Sequence, residues 1–245
     1  MCRNILITGA SQGLGADLAR GLAGKDARIF VNCAHSVEKA KVVANEIIAL
    51  GQTAEVLPGD VSDPACVESM FSELGARGGV DVLINNARID PYKRTTGLSD
   101  SEWFDRVIGV NLKGPYLCSL AALKQMEAKK FGRIVNVSSV WAYRSANRMM
   151  LEYAMSKAAL HSLTRSFAGI AGPLGITVNT VAPGLILTGE LKNRWSRKKL
   201  EQTCATIPVR RGAETAEIVE AVKFALDNAY LNGETINING GVYVP

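Results

Sequence analysis

Short apolar segments of strand length recur along the chain, and segments with the spacing of an amphipathic helix separate them. The apolar segments are rich in β-branched residues, which favours strands. They occupy residues 4–8, 27–32, 53–58, 80–85, 132–138, 175–181 and 234–240. Residues 37–50 show helical spacing, because Val42, Val43, Ile47 and Leu50 would share one face. The pattern predicts alternating strands and helices.

This alternation predicts a single α/β domain that covers residues 1–245. Parallel neighbouring strands need a long crossover connection, and a helix between two strands provides it. We therefore expect an open, doubly wound sheet of about seven mostly parallel strands with helices on both faces. Residues 187–204 interrupt the alternation with a long polar segment, and we interpret them as a lid over a substrate site.

A glycine-rich turn, TGASQGLG at residues 8–15, connects the first strand to a helix. Glycine tolerates positive φ and lets the backbone approach a phosphate, while the N-terminus of the following helix offers unpaired N–H groups. The turn indicates a dinucleotide site at this edge of the sheet. Because three residues separate Gly9 from Gly13, the spacing differs from GxGxxG, and the prediction needs support from elsewhere in the chain.

The segment YAMSK at residues 153–157 provides that support. On a helix, Tyr153 and Lys157 lie on one face about one turn apart, so the ammonium would favour the ionised form of the phenol. A tyrosine with an ordinary pKa of about 10 would then become a usable acid near neutral pH. The pair therefore predicts proton transfer beside the dinucleotide.

Composition excludes several classes of protein. The chain is 47% hydrophobic and 21% charged, so it can fill a core, and its net charge of +5 is too small to indicate nucleic acid. Its five cysteines include no CxxC pair, which favours reduced thiols and predicts no metal site. No segment approaches the roughly 20 apolar residues of a membrane span, and no secretory signal is evident. We expect a cytoplasmic protein without a membrane partner.

Six motifs occur in order: TGASQGLG, NNA, VNLKG, VNVSS, YAMSK and VAPGLILT. Together they resemble the short-chain dehydrogenase/reductase superfamily over essentially the whole chain. The segments GRIVNVSSV and YLNGETINING are most similar to the 3-oxoacyl-[acyl-carrier-protein] reductases. The resemblance implies a Rossmann fold and an enzyme that reduces a ketone to a secondary alcohol. The expected substrate is a 3-oxoacyl group linked to a carrier protein or to coenzyme A.

The resemblance also implies a catalytic tetrad of Asn111, Ser139, Tyr153 and Lys157. Ser139 and Tyr153 would hydrogen-bond the substrate carbonyl while a nicotinamide delivers hydride, and Tyr153 would donate the proton. Lys157 would hold the ribose hydroxyls and support the tyrosinate, and Asn111 would hold a water that links Lys157 to solvent. Each residue also has a purely structural alternative. Asn111 could form a turn and Ser139 could end a strand. Tyr153 could be an aromatic residue at an interface, and Lys157 could lie on a solvated helix face.

The resemblance favours NADP(H) over NAD(H). Relatives that prefer NAD(H) usually place an acidic residue after the second strand, where it would repel a 2′-phosphate. Residues 33–36 include no acid, and His35 lies where a phosphate-binding residue is expected, which both favour NADP(H). Gln12 points the other way, because many relatives that use NADP(H) have a basic residue at its position. The residues implied for cofactor binding are Gly9, Ser11, Gln12, Gly13, Leu14, Gly15, His35, Ser36, Asp60, Val61, Asn86, Ala87, Tyr153, Lys157, Pro183, Gly184, Ile186 and Thr188.

The substrate should meet the segment that connects the catalytic serine and tyrosine, together with the lid. We assign Trp141, Arg144, Arg148 and Trp195 to the substrate site. Five of the eight residues at 192–199 are basic, so this run is either a solvated surface or a site for an acidic carrier protein or an anionic ketone.

The resemblance supports docking of a carrier protein at one of two basic positions that the carrier-dependent reductases use. Lys130 matches a basic docking position of the carrier-dependent reductases, whereas Leu174 replaces a second one. A ketone on another carrier, on coenzyme A or free in solution therefore remains an alternative.

One position departs from the family pattern NNAG, because Arg88 replaces the glycine. Glycine suits this place since the backbone passes close to the nicotinamide ribose, and a left-handed conformation would cost another residue about 1 kcal/mol or more. Arg88 is either a tolerated side chain, a weakening of the cofactor site, or a guanidinium that meets a phosphate or a substrate carboxylate. We assign it to the substrate site.

Two other functions remain open. The chain could be a polyol, sugar or secondary-alcohol dehydrogenase that works in the oxidative direction, or a dinucleotide-binding protein without catalytic activity. The resemblance further implies a homo-oligomer, either a dimer or a tetramer, formed through helices within residues 103–129 and 155–171.

Overall fold

Seven strands form one parallel sheet at the centre of the molecule. The computed structural model describes residues 2–244. Its strands are β1 (Arg3–Ile7), β2 (Ala27–Cys33), β3 (Thr53–Pro58), β4 (Val82–Asn85), β5 (Gly132–Val137), β6 (Ile176–Pro183) and β7 (Thr235–Ile238). They lie in the order β3-β2-β1-β4-β5-β6-β7, and every neighbouring pair is parallel. The predicted fold class is confirmed, with a sheet that is parallel throughout.

Helices cover both faces of this sheet. They are α1 (Gly13–Leu22), α2 (Val37–Ala49), α3 (Pro64–Ala76), α4 (Asp100–Ile108), α5 (Gly114–Lys129), α6 (Leu151–Ala171), α7 (Gly189–Arg194), α8 (Arg197–Cys204) and α9 (Thr215–Asp227). Side chains alternate along each strand, so Ile5 and Ile7 pack with α1, α2 and α9, whereas Leu6 packs with α3, α5 and α6 on the other face. None of the helices within residues 2–244 is long and apolar enough to cross a membrane.

Helix α2 buries a different stripe from the one that its large apolar residues suggest. Val43 and Ile47 are buried, but Val42 is 56% exposed and Leu50 is 75% exposed. The buried stripe is completed by Ala40 and Ala44. These small side chains bring the helix close to the sheet, and a count of large apolar residues overlooks them.

The neighbours β1 and β4 mark the place where the direction of winding reverses. The chain first builds outward from β1 through β2 to β3 and then returns to place β4 on the other side of β1. The loops that follow β1 and β4 therefore depart toward opposite faces and leave a crevice between them, which is where open α/β sheets bind ligands.

Helix α6 carries a buried histidine on the side that faces β5. The Nε2 atom of His161 lies 2.9 Å from the Ser138 hydroxyl, and the Tyr143 ring packs 4.9 Å from the imidazole between ring centroids. Burial lowers the pKa of His161 to about 4, and the positive charges of Arg165 and Lys157 lower it in the same direction. The imidazole is therefore neutral in the folded protein at neutral pH.

We predict that His161 contributes to loss of stability in acid. The unfolded chain takes up this proton near pH 6.5, whereas the folded protein resists it down to about pH 4. Between these values the unfolded state binds more protons, so the free energy of unfolding falls as the pH falls, by up to about 3 kcal/mol. Urea unfolding across this pH range measures the effect. His161→Gln should flatten the profile and His35→Gln should not; equal slopes in all three proteins would contradict the prediction.

Candidate active site

One large cavity lies along the carboxyl ends of the strands. Its volume is about 1420 Å³, above the roughly 300–1,000 Å³ that is usual for a small-ligand site. Loops after β1, β2, β4, β5 and β6 line it together with α7. All the predicted cofactor residues except Ser36 border this cavity, and so do four of the five predicted substrate residues.

The glycine-rich turn and the NNA loop are joined at the crevice between β1 and β4. The Thr8 hydroxyl accepts hydrogen bonds from the main-chain N–H groups of Asn86 and Ala87, both at 3.0 Å. In return, the Asn86 amide donates to the carbonyl oxygens of Thr8 (2.9 Å) and Gly9 (3.1 Å). A Cβ atom on Gly9 would lie 2.8 Å from the Cα atom of Ala87, so only glycine allows this approach.

The first turn of α1 fits a pyrophosphate. Gln12 precedes the helix with an extended backbone and makes no capping hydrogen bond, and the first turn contains no acid. Gly13 has a φ of 57°, and a Cβ on Gly15 would collide with the Gly9 carbonyl and with the Asn86 amide, 2.5 Å away. The helix therefore presents uncapped N–H groups and a positive dipole end to a backbone cradle without side chains.

Asn32, which the sequence analysis missed, supports this cradle from β2. Its Oδ1 atom accepts the Gly9 N–H at 3.2 Å, and its Nδ2 atom donates to the carbonyls of Leu57 and Gly59, both at 3.0 Å. The side chain thereby joins the ends of β1, β2 and β3. An asparagine inside an apolar strand was the available signal, because a buried amide must find partners.

A lysine from α2 reaches the outer end of the cradle. Lys39 Nζ donates to Gln12 Oε1 at 3.0 Å, and both Gln12 and His35 border the cavity. The nearby Glu38 pairs instead with Lys41 at 2.7 Å. Sequence reasoning considered only the residues directly after β2 and so missed Lys39. Ser36 precedes α2 but does not line the cavity.

Ser139, Tyr153 and Lys157 meet on one wall of the cavity. Ser139 favours the ionised form of Tyr153 and so lowers the pKa of that phenol in part. Ser139 Oγ also accepts the Trp141 N–H at 3.2 Å. Lys157 Nζ lies 5.7 Å from the centroid of the Tyr153 ring and donates to the Val137 carbonyl at 2.6 Å.

The adjacent Ser138 has a different environment. Its hydroxyl donates to the main-chain carbonyl of Lys157 at 2.9 Å and contacts the His161 ring. Successive side chains at the end of a strand point to opposite sides. Of the two serines, Ser139 is thus the one that favours the ionised form of Tyr153.

The titration of this group is set by burial and by Arg88. Burial raises the pKa of Tyr153, and the positive charge of Arg88 and the hydrogen bond from Ser139 lower it in part. Burial also lowers the pKa of Lys157 to about 7, and repulsion from Arg88 adds to that decrease. Near neutral pH, Lys157 therefore exchanges a proton readily.

Asn111 lies behind the cavity wall. It belongs to a π-helical turn, Gly109–Lys113, between α4 and α5, and it is fully buried. Its Oδ1 atom accepts the Ile89 N–H at 2.7 Å, and its Nδ2 atom donates to Ser156 Oγ at 3.1 Å. Both ends of the amide are thus engaged, and the side chain fixes the loop that follows the NNA motif.

The predicted substrate residues between Ser139 and Tyr153 do not all lie in the same place. The Arg144 guanidinium stacks over Trp141, 5.0 Å from the ring centroid, and both border the cavity. Arg148 does not border it, and its assignment to the substrate site stays a prediction that this placement does not support. Arg148 is held by ion pairs with Asp100 (2.6 Å) and Glu152 (2.8 Å), which draw the guanidinium toward α4 and α6.

Arg88 borders the cavity without backbone strain. Among residues 2–244, the only residues other than glycine with positive φ are Lys130 and Arg210. The left-handed conformation considered for Arg88 therefore does not occur, and neither does its cost. The guanidinium extends toward Asp90, with 3.9 Å between Nη1 and Oδ1.

Two ion pairs join the predicted lid to the loop after β4. Asp90 binds Arg194 at 2.5 Å, and Lys93 binds Glu190 at 2.5 Å. The lid comprises α7 and α8, and Trp195 between them borders the cavity. These partners are about a hundred positions apart in the chain, so no local pattern could pair them. The role of this segment as a moving lid stays a prediction.

The basic run at residues 192–199 is partly neutralised. Arg194 is paired with Asp90, Lys192 with Glu214 and Arg197 with Glu201. Lys130 ends α5 with an exposed side chain, whereas Leu174 packs against the core. Within the described part of the chain, no three His, Cys, Asp or Glu side chains form a group that could hold a metal ion.

Comparison with known proteins identifies the family. The model of the short chain dehydrogenase family matches residues 3–199. The 3-oxoacyl-[acyl-carrier-protein] reductase of Staphylococcus aureus (strain Mu50) is 38% identical over 247 aligned positions, covering 100% of this chain and 99% of the relative. The enzyme of the same name from Escherichia coli (strain K12) is 35% identical, covering 98% of this chain and 96% of the relative.

Solved structures agree with this relationship. The 3-oxoacyl-[acyl-carrier protein] reductase from Brucella melitensis superposes with a TM-score of 0.89 at 27% identity, covering 99% of this chain and 92% of that one. A gluconate 5-dehydrogenase from Burkholderia cenocepacia, in complex with NADP and tartrate, gives a TM-score of 0.87 at 30% identity, covering 98% and 94%. The chain therefore belongs to the short-chain dehydrogenase/reductase family of nicotinamide-dependent oxidoreductases.

Proposed function

We propose that the protein is an NADP(H)-dependent reductase that converts a ketone to a secondary alcohol, with a 3-oxoacyl group on a carrier protein or coenzyme A as its substrate. One observation carries the proposal: Ser139, Tyr153 and Lys157 line the same cavity as the glycine cradle. The relatives named 3-oxoacyl-[acyl-carrier-protein] reductase support the substrate class.

Ser139 and Tyr153 bind the ketone oxygen in this mechanism. Both hydroxyls donate hydrogen bonds to that oxygen and stabilise the negative charge that develops on it. The carbonyl carbon would receive its hydride from a nicotinamide bound along the glycine cradle. Tyr153 then transfers its proton to the oxygen, which completes the alcohol and leaves a tyrosinate.

Lys157 stabilises the tyrosinate and returns its proton. The Val137 carbonyl holds the ammonium at 2.6 Å, and a pKa of about 7 allows the group to release a proton near neutral pH. Asn111 contributes by holding the loop at Ile89. Its amide oxygen and nitrogen each keep one further hydrogen-bonding position, which the predicted water link would use.

The preference for NADP(H) rests on the charges at the outer end of the cradle. His35 borders the cavity, and Lys39 reaches across to Gln12. The acid nearest to this group in sequence, Glu38, is paired with Lys41. A 2′-phosphate here would meet an ammonium that can donate a charge-assisted hydrogen bond, and it would meet no free carboxylate from this turn of α2.

A sugar-acid dehydrogenase is the second candidate. The neighbouring structure from Burkholderia is a gluconate 5-dehydrogenase with NADP and tartrate. In this chain, Arg144 borders the cavity, and no salt bridge holds its guanidinium within residues 2–244. A carboxylate on a sugar acid would suit that cation.

We further propose that the protein forms a homo-oligomer, a dimer or a tetramer, through α4, α5 and α6. Large apolar side chains are exposed on these helices, among them Phe104, Tyr116, Leu120 and Met155. An apolar groove lined by Ile108, Leu112, Tyr116 and Leu163 continues the surface between them. Exposed apolar surfaces of this kind mark association sites.

Replacing the proposed acid tests the reaction. Tyr153→Phe should lower kcat for NADPH-dependent ketone reduction by about 10²–10⁴-fold, because the proton donor is lost. The assay tests four kinds of ketone: 3-oxoacyl groups on a carrier protein, the same groups on coenzyme A, free 3-oxo acids, and the keto acid formed when gluconate is oxidised. Each is assayed with NADPH and with NADH. The dissociation constant of NADPH is the control and should barely change. Undiminished turnover in the variant would refute the mechanism, and no turnover of any substrate by the wild type would favour a binding protein without catalytic activity.

The cofactor preference has its own test in Lys39→Glu. A carboxylate in place of the ammonium should weaken NADPH binding by about tenfold or more and leave NADH binding nearly unchanged. Fluorescence titration of both cofactors measures this. The matched control is Lys41→Glu, which reverses a charge on the same helix beside Glu38. Equal weakening of both cofactors would show that Lys39 does not recognise the 2′-phosphate.

The association surface is tested by Tyr116→Glu. A glutamate buried at the interface would destabilise the oligomer, because burying an unpaired charge is costly. The oligomer should therefore dissociate, and the sedimentation coefficient should fall to that of a smaller species. Val42→Glu adds the same charge to an exposed apolar position on α2 and should leave the assembly intact. The proposed interface is wrong if Tyr116→Glu stays folded and keeps the wild-type mass.

A further inference from the structure

A glutamate of the predicted lid lies beside the glycine cradle. Glu190 belongs to the first turn of α7, where the Thr188 hydroxyl accepts the Leu191 N–H at 3.2 Å. A Cβ atom on Gly13 would lie 3.8 Å from Glu190 Oε2, which is an ordinary contact distance. Gly13 is the first residue of α1, and the first turn of that helix contains no acid of its own. The lid therefore brings a negative charge to the place that fits a pyrophosphate.

The same carboxylate is paired with a lysine from the loop after β4. Lys93 Nζ donates to Glu190 Oε1 at 2.5 Å. Lys93 ends the 3₁₀ turn Pro91–Lys93, and its own N–H donates to the Asp90 carbonyl at 2.9 Å. One oxygen of Glu190 thus binds the lysine while the other lies toward Gly13. The carboxylate therefore connects the loop after β4 with the cradle.

A second ion pair fixes α7 to this loop. Arg194 binds Asp90 at 2.5 Å, and its guanidinium lies 5.0 Å from the centroid of the Tyr92 ring. Arg194 follows Glu190 by four residues, so the two side chains leave one face of α7. The Asp90 side chain is only 9% exposed, whereas Lys93 is 55% exposed and Glu190 is 31% exposed. The pair at Asp90 holds the helix in place, and the pair at Lys93 stays in contact with water and can change partners.

A dinucleotide bound along the cradle would bring its pyrophosphate into this group of charges. The uncapped N–H groups and the positive dipole end of α1 attract a phosphate. The Glu190 carboxylate has the same sign as the phosphate and would repel it. Lys93 has the opposite sign, and while it binds Glu190 it cancels most of that repulsion. Without Lys93, an unpaired carboxylate would lie beside the cradle.

We propose that Glu190 opposes binding of the cofactor pyrophosphate at the cradle, and that Lys93 limits this opposition by neutralising Glu190. This inference rests on the nicotinamide dinucleotide of the proposed function, and not on its ketone or on its preference for NADP(H). Because NADPH and NADH share the pyrophosphate, the two residues set the affinity for both cofactors alike. The ion pair thus controls how tightly a cofactor binds, whereas Lys39 concerns which cofactor binds.

Removing the charge of Glu190 without changing its size tests the first part of the proposal. Glu190→Gln should lower the dissociation constants of NADPH and NADH by about three- to tenfold, because the repulsion is lost. Fluorescence titration of each cofactor measures this without turnover. The matched control is Glu201→Gln, because Glu201 pairs with Arg197 at 2.8 Å in the same lid but does not border the cavity. An unchanged affinity in Glu190→Gln, a gain for one cofactor alone, or an equal gain in the control would overturn the proposal.

The double variant tests whether Lys93 acts through Glu190. Lys93→Gln alone should weaken binding of both cofactors by about tenfold, because it leaves the carboxylate unpaired. In a Glu190→Gln background the same change should cost less than about threefold, since no carboxylate remains to be neutralised. Lys192→Gln is the control, because Lys192 pairs with Glu214 from the same helix α7 and does not border the cavity. An equal cost of Lys93→Gln in both backgrounds would show that Lys93 acts independently of Glu190 and would reject its proposed role.

A cofactor fragment shows which part of the dinucleotide Glu190 opposes. ADP-ribose keeps the pyrophosphate and lacks the nicotinamide, so Glu190→Gln should tighten it by the same factor, measured by displacement of NADPH. A gain that disappears with ADP-ribose would assign the effect to the nicotinamide and overturn the proposal. These outcomes are distinct from those of the proposed function. If Tyr153→Phe loses turnover and cofactor affinity ignores Glu190, only the role of the ion pair is rejected. If Tyr153→Phe keeps full turnover, the general-acid mechanism fails whatever the dissociation constants show.

Discussion

Four hydrogen bonds at the crevice between β1 and β4 hold the two halves of the site together. The Thr8 hydroxyl binds the N–H groups of Asn86 and Ala87, and the Asn86 amide binds the carbonyls of Thr8 and Gly9. Loops at this point of a doubly wound sheet diverge, so without such bonds they would separate. Glycine at position 9 lets the main chains come close enough for the bonds to form. The phosphate cradle and the start of the Arg88 loop both follow from this contact.

The catalytic wall depends on a second rigid unit, formed by the end of β5 and the helix α6. Lys157 donates to the Val137 carbonyl, and the carbonyl of Lys157 accepts from the Ser138 hydroxyl. This exchange fixes the helix against the strand from which Ser139 extends. Tyr153 lies one turn before Lys157 on the same helix face, and both residues border the cavity together with Ser139. The geometry of the proton donor is thus a property of packing between a strand and a helix.

The sheet and the catalytic wall could be predicted from sequence because their signals are local. Strands of a parallel sheet are buried on both faces and form continuous apolar runs, and Tyr153 and Lys157 are spaced for one helix face. Charged side chains were harder to place. Arg148 leaves the cavity because Asp100 and Glu152 bind it, and Lys39 reaches Gln12 from an adjoining helix. Such partners are set by tertiary structure, which a local pattern does not contain.

The exchange of glycine for arginine at position 88 changes the electrostatics more than the shape of the site. The backbone accepts Arg88 without positive φ, so the added cost is the repulsion between two cations beside a buried phenol. Of the two, Lys157 is buried and can lose its proton, whereas the half-exposed arginine cannot. The Asp90 carboxylate lies 3.9 Å from Arg88 and is bound more closely by Arg194, at 2.5 Å. Position 88 therefore adds a cation beside a carboxylate that already has a partner.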